Sequence, residues 1–104
     1  MPELENEFHR AMLATYDQAE ELGYRATYFL QMVQEHGGVK AAKRLLAQPE
    51  VQPGLTRLWE LKRLDISMEA LVLQEQFQPL FNETELADAH RRLDKLDYFK
   101  TLKR

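Results

Sequence analysis

The sequence contains no cysteine, one serine and four glycines in 104 residues. The lack of cysteine excludes a disulfide framework, thiol catalysis and cysteine-based zinc sites. The glycines do not form a phosphate-binding loop or a dinucleotide fingerprint. The single serine, Ser67, precedes a predicted helix and suits a helix cap better than a nucleophile. We therefore expect a protein that is not an enzyme, uses no cofactor and takes no small-molecule substrate.

Long hydrophobic runs are also missing. No segment approaches the roughly 18 consecutive apolar residues of a membrane-spanning helix, and the N-terminal MPELENEF is acidic and lacks the apolar region of a signal peptide. We expect a soluble cytoplasmic protein with no membrane partner. A chain of 104 residues suits one domain, residues 1–104, with a single core.

Apolar residues recur at three- and four-residue spacing through most of the chain, which predicts helices. Gly23 and the Gly37-Gly38 pair are placed to end two of them, and Asn82 with Glu85 forms a capping-box pattern. No run of alternating β-branched residues predicts a strand. The sequence thus predicts an all-α bundle of five or six short helices. They are expected at about residues 4–22, 24–35, 38–48, 55–61, 68–77 and 82–96, with a loop at 49–54.

The segment around the fourth and fifth helices carries the strongest local expectations. Trp59, the only tryptophan, is expected to anchor the core, with a partner-facing hot spot as the alternative. The helix that begins at Met68 is densely apolar and should be the most buried element. Arg63 is placed to pair with Asp65 or Glu69. A weaker enzymatic alternative makes a polar acid–base pocket of Glu60, Arg63, Asp65 and Glu69.

Two pairs of residues have the spacing of metal ligands on a helix. Glu5 precedes His9 by four positions, and His90 precedes Asp94 by four. Neither pair is supported by a second pair nearby, so no metal site is predicted.

Charge is distributed unevenly along the chain. Residues 1–36 hold seven acidic and two basic side chains, whereas residues 37–63 hold six basic and two acidic ones. A local excess of positive charge attracts phosphates or an acidic partner. The predicted nucleic-acid contacts are Lys40, Lys43, Arg44, Arg57, Lys62 and Arg63.

Within residues 37–66, the pattern G-V-x-x-A-x-x-x-L followed by G-L-x-x-L-W-x-L-K-R-L-D-I resembles the helix-turn-helix of bacterial DNA-bending and enhancer-binding regulators. The resemblance implies that the second helix enters the groove. The residues it would place facing the groove are Thr56, Arg57, Glu60, Lys62 and Arg63, with Lys40, Lys43 and Arg44 near phosphates. The connection, residues 48–54, is longer than the three or four residues of such turns.

A broader resemblance covers nearly the whole chain. The blocks GYRATYFLQMV, HGGVKAAKRLL, GLTRLWELKRLDISMEALVL and FQPLFNETELADAHRRL look like those of an uncharacterised family of small bacterial helical proteins. The resemblance implies a helical unit that stands alone or serves as an accessory module.

Two functions follow as hypotheses. The first is a binding or accessory module that contacts DNA, or a protein that processes nucleic acid, through the basic residues. The second is a module for protein interaction or self-association that uses exposed aromatic surface without nucleic acid. The predicted partner-binding residues are Tyr24, Tyr28, Phe77 and Phe81.

Overall fold

The computed structural model describes residues 2–48 and 53–102, and this part of the chain is all-α with no β-strand, as predicted. Two 3₁₀ turns, Leu64–Ile66 and Glu75–Leu80, connect the later helices. Among the described residues, no helix is both long enough and apolar enough to cross a lipid bilayer. The helices are α1 Pro2–Glu21, α2 Thr27–His36, α3 Gly38–Ala47, α4 Pro53–Glu60, α5 Met68–Val72, α6 Glu83–Lys95 and α7 Tyr98–Leu102.

The structure confirms that the predicted glycines and caps lie at the ends of helices. Gly23 and Gly37 have φ values of 90° and 83°, a left-handed conformation that glycine adopts without steric cost. Asn82 and Glu85 form the predicted capping box at the start of α6. The side chain of Ser67 caps α5 by accepting a hydrogen bond from the backbone N–H of Ala70.

Three predicted boundaries are wrong. Helix α2 begins at Thr27 rather than near residue 24. Helix α5 ends at Val72 rather than near residue 77, and a 3₁₀ turn containing Pro79 follows it. Gln74 has an extended backbone conformation, with φ −62° and ψ 134°, so the α-helix cannot continue through it, and the turn that follows brings Phe77 into the core. Most of the predicted loop, residues 49–52, lies outside the described residues. Pro53 already begins α4.

The core consists of two neighbouring clusters that share helix α1. Phe8 and Met12, near the middle of α1, belong to the larger cluster with α2, α3 and α5. Ala19, near the end of α1, belongs to the smaller cluster with α4 and α6. Helix α5 buries four of its five residues, as expected for the most buried element. Burial on this scale is the main source of stability for a bundle of short helices.

Candidate functional site

The six basic residues predicted to contact nucleic acid do not form one free basic surface. Three of them are held by acidic side chains. The other three are exposed, and no ion pair is found for them among the described residues: Lys40, Arg44 and Lys62. The three pairs are Lys43–Glu85 at 2.8 Å, Arg57–Glu60 at 3.9 Å and Arg63–Asp65 at 3.0 Å between nitrogen and oxygen.

Helices α3 and α4 contribute to different parts of the core, and α4 is shorter than the second helix of the helix-turn-helix pattern. Leu45 of α3 belongs to the larger core cluster, whereas Leu58 of α4 belongs to the smaller one. Helix α4 ends at Glu60, and Lys62 follows with a φ of 61°. Lys62 and Arg63 therefore lie beyond the helix, so their expected place on a recognition helix is wrong.

Two of the four predicted partner-binding aromatics are also misplaced. Phe77 and Phe81 are 5% and 7% exposed, so neither offers surface to a partner. Both rings pack edge-to-face against Phe8, with ring centres 5.1 and 5.2 Å apart. This geometry is favourable for aromatic rings in a core. The sequence showed the aromatic residues but could not show that the 3₁₀ turn directs them inward.

The other two predicted aromatics, Tyr24 and Tyr28, line a cavity of about 290 Å³. The cavity opens to solvent, and its walls are almost wholly apolar. Tyr28 is 54% exposed, the most exposed large apolar side chain in the described part of the protein. The lining residues are Thr15, Tyr16, Ala19, Tyr24, Ala26, Tyr28, Phe29, Leu45, Gly54, Leu55, Leu58, Ser67, Met68 and Glu69.

Local backbone geometry builds one wall of this cavity. After α1, the backbone N–H of Tyr24 donates to the carbonyl of Ala19 at 2.9 Å, which turns the chain back toward the helix end. Gly54, in the first turn of α4, faces the ring of Tyr24, and a Cβ added at Gly54 would lie 3.0 Å from the tyrosine oxygen. The absence of a side chain at Gly54 thus lets Tyr24 pack closely against α4.

Glu69, which also lines the cavity, belongs to a buried ion pair that the sequence did not indicate. Glu69 and Arg92 have side chains 3% and 4% exposed, and the Arg92 Nη1 donates to Glu69 Oε2 at 3.3 Å. Arg92 Nη2 donates to the carbonyls at the end of α3, those of Leu45 and Leu46 at 3.1 Å and that of Gln48 at 2.7 Å. A guanidinium at a helix C-terminus satisfies carbonyls that have no partner within the helix. Arg92 therefore ties α3, α5 and α6 together behind the cavity.

Burial changes the titration of Glu69. Its removal from water raises the pKa above the ordinary value of 4.5, while a hydrogen bond to its own backbone and the charge of Arg92 act in the opposite direction. A buried carboxyl with a raised pKa beside a cavity is the kind of group found at functional sites. Among the described residues that line the cavity, Glu69 is the only ionisable acid or base other than the tyrosines.

The predicted acid–base pocket does not form as one group, because its members have separate partners. Glu60 pairs with Arg57, and Arg63 pairs with Asp65 as predicted. Glu69 pairs instead with Arg92. The buried carboxyl group of Glu69 is therefore separate from the exposed pairs of Glu60 and Asp65.

The histidines also have structural partners. His9 Nδ1 accepts a hydrogen bond of 2.9 Å from the backbone N–H of Gly38, at the start of α3. The ring of His90 stacks on Phe99, with centres 4.3 Å apart. Within residues 2–48 and 53–102, no three His, Asp or Glu side chains come together as metal ligands.

Trp59 is not the core anchor that was expected. Leu55 and Leu58 are buried, but Trp59 is 48% exposed. Helix α4 is only eight residues long, and the position after Leu58 turns away from the buried stripe.

Comparison of the chain with models of known protein families, with curated proteins and with solved structures finds no match. The likeness to a family of small bacterial helical proteins therefore stays a prediction.

Proposed function

We propose that the protein is a non-enzymatic binding module that holds one apolar side chain of a protein partner in the cavity between α1, α2, α4 and α5. The observation that carries the proposal is the open, apolar cavity lined by Tyr24 and by the half-exposed Tyr28. When another apolar group covers apolar surface that is open to water, the free energy of the system falls.

The size and the rim of the cavity favour a protein side chain over a free small molecule. Its volume of about 290 Å³ is at the lower end of the range of roughly 300–1,000 Å³ for small-molecule sites. Exposed tyrosine is enriched where proteins bind one another, because it combines a large apolar ring with a polar tip. A single anchoring side chain inserted into a pocket is a common arrangement of such interfaces.

The first test blocks the cavity with a larger side chain. Ala26 lines the cavity, so Ala26→Trp should fill part of it. Ala87 is exposed on α6 and does not line the cavity, so Ala87→Trp is the matched control. Toluene would be titrated into each ¹⁵N-labelled protein and followed by NMR. We expect saturable shifts around the cavity in the unchanged protein and in Ala87→Trp, and none in Ala26→Trp.

The same three proteins test the protein partner. Each would be immobilised and exposed to an extract of the source cells, and the bound proteins quantified. A protein retained by the unchanged chain and by Ala87→Trp but lost from Ala26→Trp is expected. Toluene binding without any such protein would point to a small-molecule site. Absence of toluene binding would overturn the cavity as a binding site.

Nucleic-acid binding is the second candidate, supported by Lys40 and Arg44, which are four residues apart on the solvent-exposed side of α3. Because Lys43 is held by Glu85, the exposed pair is the sharper target. DNA binding should weaken strongly between about 50 and about 200 mM salt. It should be lost in Lys40→Glu/Arg44→Glu and kept in the equally charged control Arg10→Glu/Lys95→Glu. Fluorescence anisotropy measures both, and equal binding by the two variants would remove this candidate.

A further inference from the structure

The polar groups around the cavity differ in what they can still bind. The Ser67 hydroxyl already donates to the carbonyl of Leu64 at 2.7 Å and accepts from the N–H of Ala70 at 3.1 Å. The Tyr16 hydroxyl lies 3.4 Å from a carboxylate oxygen of Glu20 on the outer surface. Glu69, by contrast, accepts a long bond from Arg92 at Oε2 and a second bond from its own backbone N–H, whereas a carboxylate has about four acceptor positions. Glu69 therefore retains acceptor capacity at the cavity wall.

We propose that Glu69 selects the side chain that enters the cavity, and that this side chain is an aromatic ring with a hydrogen-bond donor, namely the indole of a tryptophan in the partner protein. The indole N–H donates to a carboxyl oxygen of Glu69, and the ring fills the apolar space. This inference rests on the proposed function, because it specifies the group that the cavity receives.

Desolvation is the physical basis of the selection. A ligand in the cavity removes whatever water still reaches Glu69, and a buried polar group that loses water without gaining a partner is costly. Leucine, methionine or phenylalanine would impose that cost, whereas an indole offsets it with its N–H. Tryptophan also has enough apolar surface to cover the walls formed by Leu55 and Met68.

Arg92 acts as a positioning residue for this selection. It holds Glu69 from α5 and the carbonyl of Leu45 from α3 at the same time, and both residues line the cavity. Because the Arg92 side chain is only 4% exposed, its bonds are shielded from competing water. The carboxyl group is therefore fixed in one orientation before the partner arrives.

The test compares two ligands that differ only at the donor. Indole and 1-methylindole would be titrated into the unchanged protein and into Ala26→Trp, with NMR shifts giving the dissociation constants. We expect indole to bind at least about tenfold more tightly than 1-methylindole, and both to bind weakly or not at all to Ala26→Trp. The N–H proton of bound indole should move downfield, which reports the hydrogen bond without any substitution.

A double substitution separates the hydrogen bond from a steric effect of the added methyl group. Glu69→Met/Arg92→Met replaces the buried pair with apolar side chains of similar length and leaves no unpaired charge. It should bind the two ligands within about twofold of each other. Persistence of the tenfold preference in this variant would overturn the role of Glu69. If the variant does not fold, an unshifted N–H proton in the unchanged protein would overturn it instead.

The outcomes also separate this inference from the function on which it rests. Equal binding of indole and 1-methylindole to the cavity would overturn the selection by Glu69 but leave the apolar cavity as a binding site. Binding of neither ligand, together with no binding of toluene, would overturn both.

Discussion

Two arginine–carboxylate pairs in this protein have similar chemistry and very different surroundings. Arg92 and Glu69 are 23 positions apart in sequence, and their side chains are 4% and 3% exposed. Arg63 and Asp65 are two positions apart, and their side chains are 42% and 51% exposed. The first pair connects separate helices, whereas the second lies within one turn of the chain.

The difference shows which contacts hold the candidate site. In water, an exposed pair is screened and gains little, because its partners are almost equally well solvated when apart. In the interior, neither partner can return to water unless the surrounding helices separate, so removal of one partner leaves the other uncompensated. Arg92 also donates hydrogen bonds to the carbonyls at the end of α3. We therefore expect the buried pair, and not the exposed one, to control both stability and cavity shape.

The largest effect should come from Arg92→Leu. The substitution leaves Glu69 buried without a counter-charge and removes the donors for three carbonyl groups at the end of α3. We expect the free energy of unfolding to fall by about 3–5 kcal/mol, as for other buried pairs that lose one partner. Urea denaturation followed by circular dichroism measures it.

Arg91→Leu is the matched control for this prediction. Arg91 is the neighbouring residue on α6, is exposed, and pairs with Asp88 at 2.9 Å. Its loss should change the free energy of unfolding by less than about 1 kcal/mol. If the two substitutions lowered the free energy of unfolding by similar amounts, the burial of Arg92 would not determine its contribution to stability.

A change of pH should have a smaller effect on the free energy of unfolding, because both members of the buried pair are still present. Burial raises the pKa of Glu69 in the folded protein above the ordinary value of 4.5. The folded state therefore binds the Glu69 proton more tightly than the unfolded state does. The stability that this proton contributes is fully present below about pH 4.5 and is lost as the pH rises through the folded-state pKa.

The comparison protein for the pH prediction is Glu69→Gln, which cannot titrate at this position. Urea unfolding of both proteins across a pH series gives the difference in unfolding free energy. Stability of the unchanged protein relative to Glu69→Gln should decline as the pH rises above 4.5. A difference that is constant, or that grows with pH, would show that the charge of Arg92 outweighs the effect of burial.

The features that the sequence predicted correctly depend on neighbouring residues. The ends of α1 and α2 follow from Gly23 and Gly37, and the start of α6 follows from Asn82 and Glu85, because glycine conformations and caps are decided within a few residues. The pairing of Arg63 with Asp65 is local in the same sense.

The features that the sequence missed depend on residues far apart in the chain. Arg92 stands next to Arg91 in the sequence, and their residue type and charge do not distinguish the buried one from the exposed one. The cavity needs α1, α2, α4 and α5 to meet, so only Tyr24 and Tyr28 could be named from composition. Apolar residues recur at every third or fourth position along α6 and end with Leu93 and Leu96. Arg92 lies beside this buried stripe, and its position there was the one signal in the sequence that it is buried.

The smallest effect should come from Asp65→Asn, which removes the charge from the exposed pair. The hydrogen bond and the charge of Asp65 raise the pKa of Arg63, but arginine is already charged at every pH at which proteins are folded, so this shift does not affect folding. We expect the urea midpoint of Asp65→Asn to coincide with that of the unchanged protein, at low salt and at high salt. A midpoint displaced as far as that of Arg92→Leu would show that the turn around Leu64–Ile66 depends on this pair, and burial would no longer explain the difference between the two arginines.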